Sequence, residues 1–254
     1  MRTKHLIIGM GKVGKALSKF IMKDTLMQDV FELDKDIPTF KETDFDIIHI
    51  CFPYSKHFVD NVHTYLDKYR WDLVIIHSTV YPGTSDAIQR IFPLRLVVYS
   101  PIRGQHNSLD EDMERYSKFY SCRIVINDDK QRNLLRGFLG FFDGEHYIED
   151  MEELELIKLW DTTMLTFMIA WAQAAKMGNT KFNNFQLHLT NFGREIDEYT
   201  DLRPSIFPGV MGGTCIRPNL ELLKIYYKDT ESTLVYSLLQ EILDCDSFFR
   251  RFEK

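Results

Sequence analysis

The stretch Lys4-His5-Leu6-Ile7-Ile8-Gly9-Met10-Gly11-Lys12-Val13-Gly14 decides the fold. Its apolar run, Leu6 to Ile8, breaks into three glycines, after which Val13, Ala16, Leu17, Phe20 and Ile21 recur on one helical face. This is strand, glycine turn, then a helix from Lys12 to Met22. Each glycine has a separate purpose: Gly9 permits a tight turn, Gly11 lets backbone approach a pyrophosphate, and Gly14 lets helix pack on strand. The turn and helix start, with Met10, Lys12 and Val13, then turn N–H groups and the positive end of the helix dipole toward phosphate. Asp34 stands 20 residues after Gly14 and ends the run Val30-Phe31-Glu32-Leu33. A carboxylate there accepts both ribose hydroxyls and repels a 2′-phosphate, which predicts NAD rather than NADP.

Beyond Asp34, the polar stretch from Asp36 to Asp44 contains Pro38 and reads as a surface connection. Asp46 to Phe52 is a nearly continuous apolar run, as expected of a parallel strand covered on both faces. It stops at Pro53, so Phe52 and Pro53 fall on the carboxyl edge where such sheets bind ligands. Phe58, Val62, Tyr65, Leu66 and Tyr69 follow at helical spacing. A strand at Leu73–His77 leads into Ser78-Thr79-Val80-Tyr81-Pro82-Gly83, with Thr84 or Ser85 expected to cap the next helix. Ser78 and Thr79 therefore join the predicted cofactor edge. Strands at Leu94–Tyr99, Arg123–Ile126 and His146–Ile148, with a helix at Asp129–Phe142, complete an α/β, Rossmann-type doubly wound parallel sheet over residues 1–148.

From residue 149 to 254 the expectation is an all-helical domain. Asp150 to Met177 contains no Gly or Pro and predicts one long helix, apolar almost all round in its second half. Either a subunit interface, making a homodimer through this helix, or a helical core would cover it. Phe182–Tyr199 reads as a second helix, Thr200–Pro218 as a Pro- and Gly-rich loop, and Leu220–Phe252 as mainly helical.

Composition narrows the partners. A net charge of −6 with no basic run argues against nucleic acid or an anionic membrane surface. Four cysteines far apart in sequence suit free thiols in a reducing cytoplasm better than a disulfide framework. The first strand begins too early for a signal peptide, and the most apolar segment, Met164–Ala172, is too short to span a bilayer, so a soluble protein is expected. No His lies at metal-ligand spacing; His49 reads as structural, His77 as orienting the Ser78-Thr79 turn, and His106 as a loop residue.

The second informative stretch is Gly209-Val210-Met211-Gly212-Gly213-Thr214-Cys215-Ile216-Arg217-Pro218-Asn219. Glycines beside a cysteine leave its sulfur accessible, and Arg217 adds a positive charge nearby. Most single cysteines are small buried hydrophobes, so residue type alone leaves Cys215 open.

Taken in order, Gly9-Met10-Gly11-Lys12-Val13-Gly14, Ser78-Thr79-Val80-Tyr81-Pro82-Gly83-Thr84, Ser100-Pro101, Glu155-Leu156-Ile157-Lys158 and Gly212-Gly213-Thr214-Cys215 resemble the UDP-glucose/GDP-mannose dehydrogenases. The resemblance covers about residues 4 to 225. It implies a dinucleotide domain, a helical domain that dimerises, and oxidation of an alcohol carbon of a nucleotide sugar. Carried over by position, Cys215 traps the aldehyde, Lys158 stabilises the oxyanion, and Thr79 sits beside the nicotinamide and a catalytic water. Two positions depart from the family: its Asn is Thr162, and its Asp after the cysteine is Asn219, which takes no proton at neutral pH. Ile102-Arg103-Gly104 stands where the family has Glu, and the chain ends near the start of the family's C-terminal nucleotide-binding domain, the pattern of a short member. Three readings follow: oxidation with Cys215 as nucleophile; a hydroxyacid-dehydrogenase-like hydride transfer using Lys158 and Thr162 without covalent catalysis; and NAD binding without turnover.

Overall fold

The computed structural model describes residues 2–24, 28–34, 37–38, 40–104, 109–123, 128–178, 209–211 and 216–252. The order is β1 (Thr3–Ile8), α1 (Lys12–Ile21), β2 (Gln28–Asp34), β3 (Ile37–Pro38), β4 (Asp44–Ile50), α2 (Phe58–Leu66), β5 (Arg70–Ile76) and α3 (Thr84–Ile91). Then come β6 (Leu96–Tyr99), α4 (Leu109–Arg115), β7 (Lys118–Cys122), α5 (Asp129–Leu139), β8 (Glu145–Tyr147), α6 (Met151–Gly178), α7 (Ile216–Asp229) and α8 (Thr233–Phe252). The chain divides into two compact units, Met1–Lys158 and Leu159–Lys254.

In the first unit the strands lie side by side in the order β3-β2-β1-β4-β5-β6-β7-β8. The central β2, β1, β4, β5 and β6 are mutually parallel. Alternate residues feed opposite faces. Ile7, Ile47, Leu73 and Val98 pack with α1, α4 and α5. Leu6, Ile48, Val74 and Val97 pack with α2, α3 and the start of α6. Two covered faces explain why these strands read as unbroken apolar runs.

The edges depart from the sequence expectation. The stretch predicted as a plain connection contains β3, antiparallel to β2, and β4 already begins at Asp44. β7 is antiparallel to β6, with β8 parallel to β7, so the sheet is mixed at its margins. Apolar periodicity reports burial and says nothing of strand direction. Of the strand expected at Arg123–Ile126, Arg123 is not in a strand and Ile124–Ile126 lie outside the described residues, while a strand that was not expected occupies Lys118–Cys122. Its Lys118 and Ser121 are buried polar residues, a composition that hides a strand from any hydrophobic pattern.

In the second unit, Leu220 and Leu223 of α7 and Leu239, Ile242, Leu243 and Phe249 of α8 are buried. Trp160 Nε1 donates to Tyr227 Oη at 3.0 Å. Ile216, Arg217 and Pro218, expected in a loop, form the first turn of α7, where proline is tolerated because its missing N–H has no helical acceptor. The predicted helix at Phe182–Tyr199 lies outside the described residues. The long helix is present as α6, 28 residues. In its second half Met164, Leu165 and Trp171 are exposed in the single chain. What it buries includes Thr163, Thr166 and Gln173. The two threonines donate to carbonyls of their own helix, at Leu159 and Thr163.

Candidate active site

Because the central strands are parallel, every residue predicted to hold the dinucleotide falls on one edge. Gly9 follows β1, Asp34 ends β2, Phe52 and Pro53 follow β4, and Ser78 and Thr79 follow β5. The glycine turn has the geometry its spacing implied. Gly9 adopts φ +97°, and its N–H donates to Leu33 O at 2.9 Å, tying the β1 exit to the β2 exit. A Cβ on Gly14 would lie 2.1 Å from Gly9 O, so α1 reaches the turn only with hydrogen there. A Cβ on Gly11 meets nothing within 4 Å: the backbone faces open space at the helix start. α1 has no acidic residue in its first turn to neutralise its dipole. Met10 and Val13 are half-buried, and Lys12 and the Asp34 side chain are exposed.

Ser78 is buried, its hydroxyl donating to Phe52 O at 2.6 Å, while Thr79 is half-buried. Thr84 and Ser85 do not cap α3 with their side chains. The cap residue is Gly83 at φ +89°, and Thr84 Oγ1 instead donates to Tyr81 O. The capping acceptor comes from α6: Glu155 takes Gly83 N at 2.5 Å and Ser85 N at 2.8 Å, one on each carboxylate oxygen. Burial pushes its carboxyl up to about 7 against the pull of those bonds. Glu155 thus anchors the turn that follows Ser78 and Thr79. The sequence presented it only as part of a motif.

Behind the edge lies a feature no local pattern announced. His5 Nδ1 is 2.9 Å from His49 Nε2, His49 Nδ1 is 2.9 Å from His77 Nε2, and His77 Nδ1 is 2.7 Å from Ser100 O. Each histidine sits two residues further along its strand than its neighbour, which keeps all three on the face covered by Phe138 of α5. His77 therefore orients the Ser100 carbonyl rather than the Ser78-Thr79 turn. Desolvation holds His5 down to about 4 and His49 and His77 well below the usual imidazole range, so the rings are neutral. Three neutral rings supply three protons to a line of four contacts. The fourth, His5 Nε2 to Gln28 Oε1 at 2.7 Å, gains its proton when the Gln28 amide exchanges its O and N by a half turn. Lys118, also buried, donates to Ser100 O and Pro101 O at 2.9 Å each, and burial lowers its ammonium well below the usual lysine range.

Lys158 and Thr162 are half-buried one turn apart on α6, and Asn219 is buried on α7. Cys215 and His106 lie outside the described residues. Cys51 is buried, its thiol pushed up to about 12, an inert packing residue. Arg217 is not a free charge beside the cysteine loop: it pairs with Glu221 at 3.0 Å and Asp246 at 3.3 Å. Among the described residues no helix is long and apolar enough to cross a membrane.

No family model matches the sequence, and no curated protein matches it. Solved structures do. UDP-D-ManNAc dehydrogenase from Pyrococcus horikoshii superposes with TM-score 0.68 at 16% identity, covering 98% of this chain and 69% of that one. The chain has the fold of the UDP-sugar dehydrogenases. UDP-glucose dehydrogenase from Pyrobaculum islandicum gives TM-score 0.67 at 17% identity over 99% and 69%. The same architecture extends to 3-hydroxyisobutyrate dehydrogenase from Mycobacterium tuberculosis, solved with L-serine: TM-score 0.67, 13% identity, and 100% of both chains. At these identities the likeness is one of fold.

Proposed function

We propose that this protein is an NAD-dependent oxidoreductase acting on an alcohol carbon of a sugar or nucleotide-sugar-like substrate, with Cys215 in its active site. The observation that carries the proposal is the open backbone at Gly11, set between the Gly9 turn and the Asp34 carboxylate on one sheet edge. Gly9 to Gly14, Asp34, Phe52, Pro53, Ser78 and Thr79 would hold the cofactor, which supplies a hydride acceptor. In this reading Lys158 steadies the substrate oxygen as negative charge develops, and the Cys215 thiolate adds to the aldehyde carbon. Asn219 and Thr162 offer hydrogen bonds without a titrating group. Two NADH per substrate and a trappable Cys215 adduct are expected. Asp34→Ser should raise use of NADP relative to NAD.

A second reading has its own support, because the 3-hydroxyisobutyrate dehydrogenase match spans both chains completely. There Lys158 and Thr162 act as proton donor and positioner, and one NADH forms per substrate. Cys215→Ser separates the two: a loss of turnover favours the thiol mechanism, a modest effect the simple hydride transfer. Tight NAD binding with no turnover across a broad panel of sugars and hydroxyacids refutes both and leaves a cofactor-binding protein.

The same proposal includes a homodimer. Ile157, Met164 and Trp171 are exposed and recur every seven residues along α6, a stripe that a second copy of the helix can cover. Met164→Glu with Trp171→Glu should convert a dimer to a monomer in sedimentation. A cytoplasmic setting, suited to the free thiols of Cys51, Cys122 and Cys245, completes it.

A further inference from the structure

Glu155 on α6 has no exposed surface, and its carboxylate spans two N–H groups at the start of α3: Gly83 N donates to Oε2 at 2.5 Å and Ser85 N to Oε1 at 2.8 Å. α3 has no side-chain cap of its own, so these bonds, aimed at the positive end of its dipole, are its cap. They also join two places that matter to the proposed chemistry. The turn that ends at Gly83 carries Thr79 at the carboxyl edge of β5, and Lys158 stands three residues, about one turn, beyond Glu155 on α6. Met151 and Leu154 of the same helix pack in one cluster with Val80 and Ile88, so the grip closes a contact that is already packed.

Two buried hydroxyls within electrostatic reach of the carboxyl, Ser85 Oγ and Tyr99 Oη, have no hydrogen-bond partner among the described residues. A hydroxyl can donate to a carboxylate or accept from a carboxylic acid, whereas Gly83 N–H and Ser85 N–H can only donate. Ionised, Glu155 offers both oxygens and holds both amides by charge-assisted bonds. Protonated, it turns one oxygen into a donor, for which the two hydroxyls are open acceptors, and one amide loses its partner. Asp86 faces the group from α3 and is itself paired with Arg123 at 3.4 Å; Tyr99 comes from β6 and Tyr54 from the loop after β4. On α6, Glu152 and Lys158 stand three residues to either side. Burial first, then the Asp86 charge, holds the carboxyl near 7 against the pull of Ser85 and Gly83, so both forms are populated around neutral pH. Ionisation costs the fold as a whole, because the charge is buried, while it strengthens the two bonds that hold the turn.

We propose that Glu155 is a positioning residue for the active-site edge: loss of its proton tightens the Ser78–Gly83 turn onto α6 and so sets Thr79 against Lys158. This rests on the oxidoreductase reading for its catalytic consequence, but the tightening is measured without turnover. In isotope-labelled protein, NMR follows the Gly83 and Ser85 amides from about pH 5.5 to about pH 8.5, with their exchange protection corrected for the intrinsic rate. Over the same range kcat and the KM for NAD are measured in the parent and in Glu155→Gln.

Both amides are expected to titrate with a common midpoint near 7 and to exchange about tenfold or more slowly above it. Through the same midpoint kcat rises about fivefold or more, while the KM for NAD, set mainly at the Gly9 turn and Asp34, stays within about twofold. Glutamine keeps the shape and one acceptor but has no proton to lose, so the variant should show a low kcat with that step absent. Amides that do not titrate in the parent overturn the proposal, and that result needs no variant to fold. So does a kcat step retained in Glu155→Gln, which assigns it to another group, or titrating amides without a kcat step, which leaves Glu155 a helix cap alone. A parent with no turnover at any pH refutes the oxidoreductase reading, and the amide titration then decides the grip by itself.

Discussion

Glu155→Gln separates the energetics of the α3 cap from its shape. In the native protein the carboxyl titrates near 7, against an ordinary value of 4.5, because it is buried. A raised carboxylate value means that the folded state binds the proton more tightly than the unfolded one. The stabilising contribution is thus complete below pH 4.5 and is lost as pH rises through 7. The gap of about 2.5 pH units, at about 1.36 kcal/mol each, comes to about 3 kcal/mol. Glutamine is isosteric and does not titrate, but its NH₂ would face Gly83 N–H or Ser85 N–H, a pH-independent cost of about 1–3 kcal/mol. The parent and variant curves therefore differ by a constant offset plus the titration. Urea denaturation at pH 8 and pH 4.5 should show the variant losing about 3 kcal/mol more, relative to the parent, at the lower pH. Parallel stability curves across that range would refute the assignment of a buried, proton-accepting carboxyl at the α3 cap.

The histidine line should make the protein acid-sensitive in the opposite sense. His5 is lowered from 6.5 to about 4, so the unfolded chain takes up its proton first and stability falls by about 3 kcal/mol as pH drops through that window. His5→Gln should flatten this part of the denaturation series, and an unchanged acid slope would contradict a neutral buried ring. The two turn glycines should respond differently to alanine. Gly11→Ala meets no atom and should keep the parent melting temperature while weakening NAD binding about tenfold or more in calorimetry. Gly14→Ala drives a methyl into Gly9 O and should destabilise the fold by about 1–3 kcal/mol or more, whether or not cofactor is added. Lys118→Met, which leaves the Ser100 and Pro101 carbonyls short of a donor, should cost about 1–3 kcal/mol in the same assay.

Much of this was legible in the chain. The Gly9-Gly11-Gly14 spacing carried the strand, turn and helix: Gly9 takes the positive φ of the turn and Gly14 is held against Gly9 O, though the backbone of Cys51 and Phe52 that also crowds Gly9 comes from a distant strand. The 28-residue α6 could be read because an uninterrupted stretch without Gly or Pro has one favourable backbone state. The β7 strand was missed for the opposite reason: Lys118 and Ser121 look like surface residues until a fold supplies the carbonyls that satisfy them.

By itself the sequence determined the parallel heart of the sheet, the residues at the carboxyl edge of its strands and the long helix, since these follow from apolar period and backbone sterics within tens of residues. Only the tertiary structure decided the pairings between distant polar groups: His5 with His49 and His49 with His77, Glu155 with the α3 cap, and Asp246 with Met211 and Arg217. Such groups have no periodicity to betray them. They are tolerated inside the protein because a partner from another element meets each one, and that meeting exists only once the chain has folded.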